Sequence, residues 1–334
     1  MDILKPIIKI IRGDLTPESP ENMEFHGQFT IEDDSLNGAI LNNILLPEEI
    51  ILNIFSYLEP REILNCSLVC KYWCNLAKSN TLWQHIYNER EFPKKAKNLP
   101  WYVFYCYFTT DNFKNLIKNG NGQEKFKHWS ITANGGDRII IEDIPSGCDP
   151  LNLDIPEFNN CASCFTTSYH WCTKYQIIDI AKKHLLSYII KKYTPKIYAS
   201  EWYCGRFDCG SVYRLYVICE TPVESARDLL QKSDHHFSYN QQFPGGSLDR
   251  EEPSVNYKME VGIIQQFSNP QWTKVEIEWK DYPKDINALY FRHQGKDTQF
   301  WAGHYGSKFA GGVLKFVFES IEPIPDDSMD SEDV

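Results

Sequence analysis

The stretch LPEEIILNIFSYLEPREILNCSLVCKYWCNLAKSNTLWQHIYNER, residues 46–90, decides how the chain is divided. Pro47 suits a first helical position, and Glu48 and Glu49 suit the positive end of a helix. Ile50, Ile51, Ile54, Phe55 and Leu58 follow helical spacing. Glu59-Pro60 ends that helix and opens the next. A third short apolar helix is expected at 68–77, and Ser79 or Thr81 could cap a fourth carrying Trp83, Ile86 and Tyr87. About 45 residues make a small independent core. Yet Ile50, Ile51 and Leu52 are consecutive, so the first helix is apolar on more than one side and needs covering by the rest of the chain or by a partner.

Working outward, residues 1–43 are polar and irregular and read as an acidic, mostly disordered arm. Its start, MDILKPIIKIIRG, is a poor signal peptide and reads as a weak amphipathic segment. No apolar run reaches the length of a membrane span, so no membrane insertion is expected. Residues 1–44 hold eight Asp/Glu against three Lys/Arg, and 319–334 hold seven against none. The net charge of −11 therefore belongs to the tails, with 31 basic and 30 acidic residues left between them. A near-neutral body has no stripe to neutralise phosphates, which argues against a nucleic-acid partner. Neither tail shows a twelve-residue calcium loop. Eleven cysteines, odd in number and scattered, point to reduced thiols and a cytoplasmic location.

Downstream, FPKKAKNLP and the aromatic segment WYVFYCYFTTDNFKNLI (93–118) read as a helical linker. Beyond Gly120 the pattern changes to short strands, at 137–142, 163–179, 196–204, 211–220, 259–267, 272–280, 286–293 and 313–319. TKVEIEW alternates Val275, Ile277 and Trp279 against Lys274, Glu276 and Glu278, a half-buried strand. Strands at this spacing predict a two-sheet sandwich. Helices are expected at 181–193 and 223–231, and 232–258 reads as a long mobile loop. The expected fold class is thus α+β and multidomain, a small helical domain followed by an antiparallel β-sandwich.

Several chemistries can be weighed from the residues. Ser168, His170 and Cys172 lie close in sequence, but a nucleophile and its base need a spatial hydrogen bond and an orienting group. Glycoside hydrolysis needs two facing carboxylates; Asp208 and Asp297 are the candidates, and nothing sets them apart from ordinary turn aspartates. Cys161, Cys164, His170 and Cys172 could close a tetrahedral zinc site, or be a turn pair and small strand hydrophobes. The expectation is no metal, no cofactor and no catalysis. KDTQFWAGHYG (296–306) offers something different: Phe300 and Trp301 side by side, bracketed by Gly295 and Gly303, as on a loop. An aromatic face can bury the C–H face of a sugar while nearby polar groups bond its hydroxyls, so a sugar-binding protein displays aromatics on loops of a rigid scaffold. From spacing alone, Trp301 could equally be core.

LPEEIILNIFSYL, VCKYW and the later LW resemble an F-box over about residues 44–92, with Leu46, Pro47, Glu48, Ile54, Leu58, Val69, Cys70, Lys71 and Trp73 at the positions of typical residues. The resemblance implies docking onto a Skp-family adaptor through Leu46, Pro47, Ile54, Leu58, Val69 and Trp73, and through it onto the cullin and RING subunit of an SCF-type ubiquitin ligase. NGNGQEKFKHWSITANGGD, TSYHWCTKYQIIDI, RFDCGSVYRLYV and DYPKDINALYFRHQGKDTQFWAGHYG resemble, in order, the F-box-associated (FBA) domain, a jelly-roll-like sandwich over about 119–319, followed by an acidic tail at 320–334. Some members of the sugar-recognising subfamily bind high-mannose N-glycans on misfolded glycoproteins, and others of the same fold do not. The resemblance implies Trp301 stacking on the N-acetylglucosamine core, Phe300 and Tyr169 flanking it, and Asp208 accepting hydrogen bonds. This chain departs from the glycan binders at Phe300, where Tyr is typical, at Ala302, where lysine stands, and at HQGKD, where Gly-Gly precedes the aspartate. A glycan or a protein epitope therefore both remain possible ligands.

Overall fold

The computed structural model describes residues 37–41, 44–225, 228, 256–268 and 271–324. The chain forms two compact units, with Asn112–Ile321 as the second and the described residues on either side belonging to the first. The amphipathic start, the acidic tail beyond 324, and most of the 223–231 helix and the 232–258 loop lie outside the described residues. Among the described residues no helix is long and apolar enough to cross a membrane.

The first unit opens with a hairpin of β1 (Ile40–Leu41) and β2 (Ile44–Leu45), followed by α1 (Glu48–Ser56), α2 (Pro60–Cys66), α3 (Lys71–Ala77), α4 (Asn80–Arg90) and α5 (Trp101–Thr109). Pro47 stands just before α1 rather than within it, and Glu48 and Glu49 fill its first turn. Pro60 opens α2 behind a capping box in which the Glu59 amide donates to the Glu62 carboxylate at 2.9 Å. Ser79 precedes α4 as expected, but its hydroxyl pairs with that of Thr81 instead of capping a backbone amide. Ile51, Phe55, Ile63, Leu76, Trp83, Ile86 and Tyr87 are buried. The 93–118 segment contributes to this core as well: the Tyr105 ring meets Trp83 edge-on at 6.0 Å, and Phe104 and Tyr107 pack on Tyr87. Strand β1 falls inside the stretch read as an irregular arm. Gly38, at φ +90°, turns its carbonyl onto Trp73 Nε1 at 2.6 Å, where a Cβ would lie 2.5 Å from Cys70 Sγ.

The second unit is an antiparallel sandwich of two five-stranded sheets. One has the order β10-β7-β12-β5-β4, from Thr273–Trp279, Ile197–Cys204, Lys308–Phe316, Cys164–Thr166 and Ile140–Glu142. The other has the order β3-β6-β11-β8-β9, from Ser130–Asn134, Cys172–Asp179, Ala288–Asp297, Ser211–Glu220 and Tyr257–Ile264. Helix α6 (His184–Tyr193) joins β6 to β7 and buries Leu186, Ile189 and Ile190, one face at helical spacing. Two sequence readings change. The run 163–179 is two strands on different sheets, because the chain crosses between sheets at 167–171. The last strand begins at Lys308 rather than 313, since a register slip between Ala310 and Val313 hides it, with Gly311 at φ +71° donating its amide to Asn121 Oδ1 at 2.6 Å. Strand β3 carries mostly exposed side chains, which left no apolar pattern to read.

Between the sheets lies a fully buried polar cluster. Lys174 Nζ on β6 sits 3.0 Å from the Trp129 ring centroid and 3.3 Å from that of Phe165. Glu201 on β7 accepts from the Tyr213 hydroxyl and faces His293 Nδ1 at 2.7 Å. Burial pushes the Glu201 carboxyl up from 4.5 to about 8, against the pull of the Lys174 charge. Burial also drives Lys174 and His293 well below their ordinary ranges. A carboxyl whose folded pKa is raised stabilises the fold fully below its unfolded value and loses that contribution as pH rises through the folded value. Glu201→Gln imitates the protonated form. Between about pH 5 and pH 8.5 wild-type stability should therefore fall relative to that of Glu201→Gln, measured as urea unfolding free energy; parallel profiles would contradict this titration.

Candidate functional site

Antiparallel pairing gathers five connections at one end of the sandwich. The registers Asp297↔Ser211, Ser211↔Ile264, Asn134↔Cys172, Lys308↔Thr166, Lys308↔Cys204 and Thr273↔Tyr203 all lie there. The segments are 135–139, 167–171, 205–210, 298–307 and, in its described residues, 265–268 with 271–272. Loops at the end of a rigid sandwich can display side chains without disturbing the ladders beneath them.

Asp297 ends β11 and is fully buried. One carboxylate oxygen accepts the Phe300 amide at 2.8 Å, and the other accepts the Trp301 amide at 3.1 Å. This grip holds Phe300 at φ +58°, a conformation that costs a non-glycine residue energy and persists where the surroundings fix it. Both side chains are turned out, with Phe300 59% and Trp301 42% exposed. Trp301 is therefore not core.

Neighbouring loops lock this one. The Asp297 amide donates to the Ser168 carbonyl at 3.0 Å, and the Ser168 hydroxyl donates to the Gly303 carbonyl at 2.7 Å. The Gly303 amide donates to Asp137 Oδ2 at 2.6 Å. Gly306 donates to the Thr167 carbonyl at 3.1 Å, and a Cβ there would fall 2.2 Å from Thr167 Oγ1. The 167–171 connection thereby carries Tyr169 and His170 beside the aromatic pair: the His170 ring lies 5.7 Å from Phe300 and 5.1 Å from Tyr169. On the other side Trp301 meets Tyr305 edge-on at 5.7 Å. The Arg206 guanidinium lies 4.7 Å from the Tyr305 ring centroid and grips Asp208 through two bonds of 2.9 and 3.1 Å. That pairing holds the Asp208 carboxyl below its ordinary range.

Tyr169, Asp208, Phe300 and Trp301 thus share one end of the sandwich. His170, Tyr305 and Arg206 link them, and the sequence reading named none of these for this role. Arg206 stands two residues before Asp208, the only local signal; Tyr305 gave none. The other constellations do not assemble. Asp208 is paired with Arg206 and Asp297 is spent on backbone amides, so neither is poised across a sugar from the other. Cys164 and Cys172 are buried on different sheets, and the Cys172 thiol points at the Gly135 and His170 carbonyls at 3.5 and 3.6 Å. Among the described residues no group of three or more His, Cys, Asp or Glu could hold a metal.

In the helical unit Pro47, Ile54 and Val69 are exposed, while Leu46, Leu58 and Trp73 are half-buried, Trp73 being packed edge-on against Phe55 at 5.3 Å. Ile44, Leu45, Ile50, Tyr57 and Leu68 are also exposed, an apolar surface larger than the six residues of the sequence reading.

The family described as "F-box associated region" matches residues 107–243 and 248–315, and "F-box-like" matches 44–89. The chain belongs to the F-box-associated family. Human F-box only protein 6 is 32% identical to this F-box-associated chain over 273 residues, covering 80% of it and 82% of the relative. Human F-box only protein 44 is 30% identical over 280 residues, 83% and 97% of the two chains. Bovine F-box only protein 2 is 25% identical over 269 residues, 79% and 80%. If Asp297 is what shapes the F-box-associated site, Asp297→Ala should destabilise the fold by about 2–4 kcal/mol, because two buried amides lose their acceptor. Amide hydrogen exchange at 300 and 301 should accelerate; unchanged exchange would show that the loop holds its shape without the carboxylate.

Proposed function

We propose that this protein is the substrate-recognition subunit of an SCF-type ubiquitin ligase, and that its sandwich reads the core of an N-glycan on misfolded glycoproteins. The observation that carries the proposal is the exposed Phe300–Trp301 pair, pinned from beneath by Asp297 on a rigid sandwich end. A stacking platform must hold its ring in place before the sugar arrives, since ordering it on binding would consume affinity. The indole of Trp301 takes the C–H face of N-acetylglucosamine, with Phe300 and Tyr169 beside it. Asp208 accepts from sugar hydroxyls or amide groups through the lone pairs that Arg206 leaves free.

The helical unit docks on a Skp-family adaptor, and through it on the cullin and RING subunit. Exposed Pro47, Ile54 and Val69 supply apolar surface for that contact, with Leu46, Leu58 and Trp73 behind them. The chain itself performs no chemistry. Tethering adaptor and substrate to one polypeptide raises the local concentration of substrate lysines at the ubiquitin-charged enzyme. The work would be done on the cytosolic side of the endoplasmic reticulum, a compartment in keeping with eleven cysteines, odd in number and scattered along the chain. A second reading, in which the same sandwich binds a protein epitope, rests on Ala302 and on the missing hydroxyl at Phe300.

On a glycan array the wild type should retain structures with a chitobiose core, and Trp301→Ala should abolish that retention while its unfolding transition stays within about 1 kcal/mol of wild type, as for an exposed side chain. Absence of all glycan binding by the wild type at millimolar ligand would favour the protein-epitope reading, and free sugar released over time would indicate an enzyme. In a separate pull-down the wild type should retain a Skp-family adaptor, and Ile54→Asp should lose it by placing a charge in an apolar interface; no retention by the wild type would remove the ligase assignment.

A further inference from the structure

Two more aromatics stand on the same end of the sandwich, and the glycan reading does not use them. Phe207 is 51% exposed on the β7–β8 connection, and Phe267 is 78% exposed on the β9–β10 connection. Their loops are tied together: the Phe267 amide donates to the Phe207 carbonyl at 2.8 Å, and the Phe207 amide donates to the Gly147 carbonyl at 3.0 Å. Phe267 sits at φ +60°, the left-handed region that Phe300 also occupies. Gln266 Nε2 fastens this turn to the Asp208 carbonyl at 2.9 Å. The pair shares its end of the sandwich with the Trp301 platform. Trp301 packs on Tyr305, Tyr305 carries the Arg206 guanidinium, and Arg206 is the residue before Phe207.

The two ends of this row differ in chemistry. Around Phe207 and Phe267 the nearby polar groups are engaged. Arg206 and the Asp208 carboxylate hold each other, and the Asp208 carbonyl is held by Gln266. A phenyl ring offers no hydrogen bond. Such a surface suits apolar side chains better than a ring of hydroxyls, which would lose water without replacement. We propose that Phe207 and Phe267 form an apolar subsite for side chains of the polypeptide that carries the glycan, exposed when that polypeptide is unfolded. This rests on the glycan reading of the Trp301 loop. It makes the site bipartite, with a sugar on Trp301 and an unfolded chain on the phenylalanine pair, so that a folded glycoprotein engages only half of it.

The test uses the full chain and the variant Phe207→Ser/Phe267→Asn, whose serine and asparagine suit exposed turns and the left-handed backbone. The probes are a glycoprotein bearing one high-mannose N-glycan, folded or reduced and alkylated, the free glycan released from it, and the unfolded protein after enzymatic deglycosylation. The double variant should bind free glycan and folded glycoprotein as the wild type does, and bind the unfolded glycoprotein about tenfold more weakly, the loss expected when anchoring aromatics are removed. Equal affinity of wild type and variant for the unfolded glycoprotein overturns the subsite. A matching loss on free glycan also overturns it, by making the pair a sugar subsite. Failure of the glycan reading shows separately, as no free-glycan binding by the wild type. The pair is then judged on the unfolded, deglycosylated protein alone: a tenfold loss in the variant upholds a polypeptide subsite, and no loss ends it.

Discussion

The carboxylate of Asp297 is the constraint on which the loop-bearing end of the sandwich depends. It closes the central strand of one sheet, with β6 on one side and β8 on the other, so its position is fixed by both ladders. From there its oxygens reach forward to two amides of the loop that follows. Rigidity of the sheet is thereby passed to Phe300 and Trp301, three and four residues beyond the last rung. The remaining contacts of the end, from Ser168 and Asp137 to Gly303, secure a loop whose direction the carboxylate has already set. An aromatic residue is useful for binding when it is exposed and ordered together, and a buried anion holding backbone amides provides both.

Burial and charge are arranged oppositely in the two units. The helical unit leaves apolar side chains such as Tyr57, Leu68 and Val69 in solvent. The sandwich does the reverse and places Lys174, Glu201 and His293 where no water reaches. The first arrangement marks a surface that a partner completes. The second places polar groups in the interior, where Lys174 Nζ lies over ring faces while Glu201 Oε1 and His293 Nε2 have no hydrogen-bond partner.

Much of this was legible in the sequence, for definable reasons. Helical spacing in 50–58, Pro60 as a helix start and the alternation of TKVEIEW each follow from local geometry, and the structure has α1, α2 and β10 there. The pairing of Phe300 with Trp301 between glycines read as a loop because strand alternation cannot place both on one face. What escaped reading depended on contacts distant in sequence. The corner at 167–171 splits one apolar run between two sheets, and no local signal marks where a chain changes sheets. The helix at 101–109 looked like a connector because its partners, Trp83 and Tyr87, lie more than a turn of sequence away. Arg206 and Tyr305 link the site residues through a cation over a ring, an association between positions about a hundred residues apart that spacing cannot reveal.

The buried cluster has a consequence for how the sandwich chooses its alignment. Side chains on a strand alternate faces, so a one-residue slip of β6 against β11 would exchange Lys174 for Thr173 or Tyr175 on the inner side and take its amine away from the Trp129 and Phe165 rings. An enclosed polar group without its partner is less tolerable than a misplaced methyl group. Apolar cores accept many near-alignments with modest penalties, whereas a lysine held over two ring faces and a carboxylate meeting a tyrosine and a histidine fit in one. The polar centre of this sandwich therefore acts as a key for strand order, excluding shifted assemblies that hydrophobic packing alone would admit.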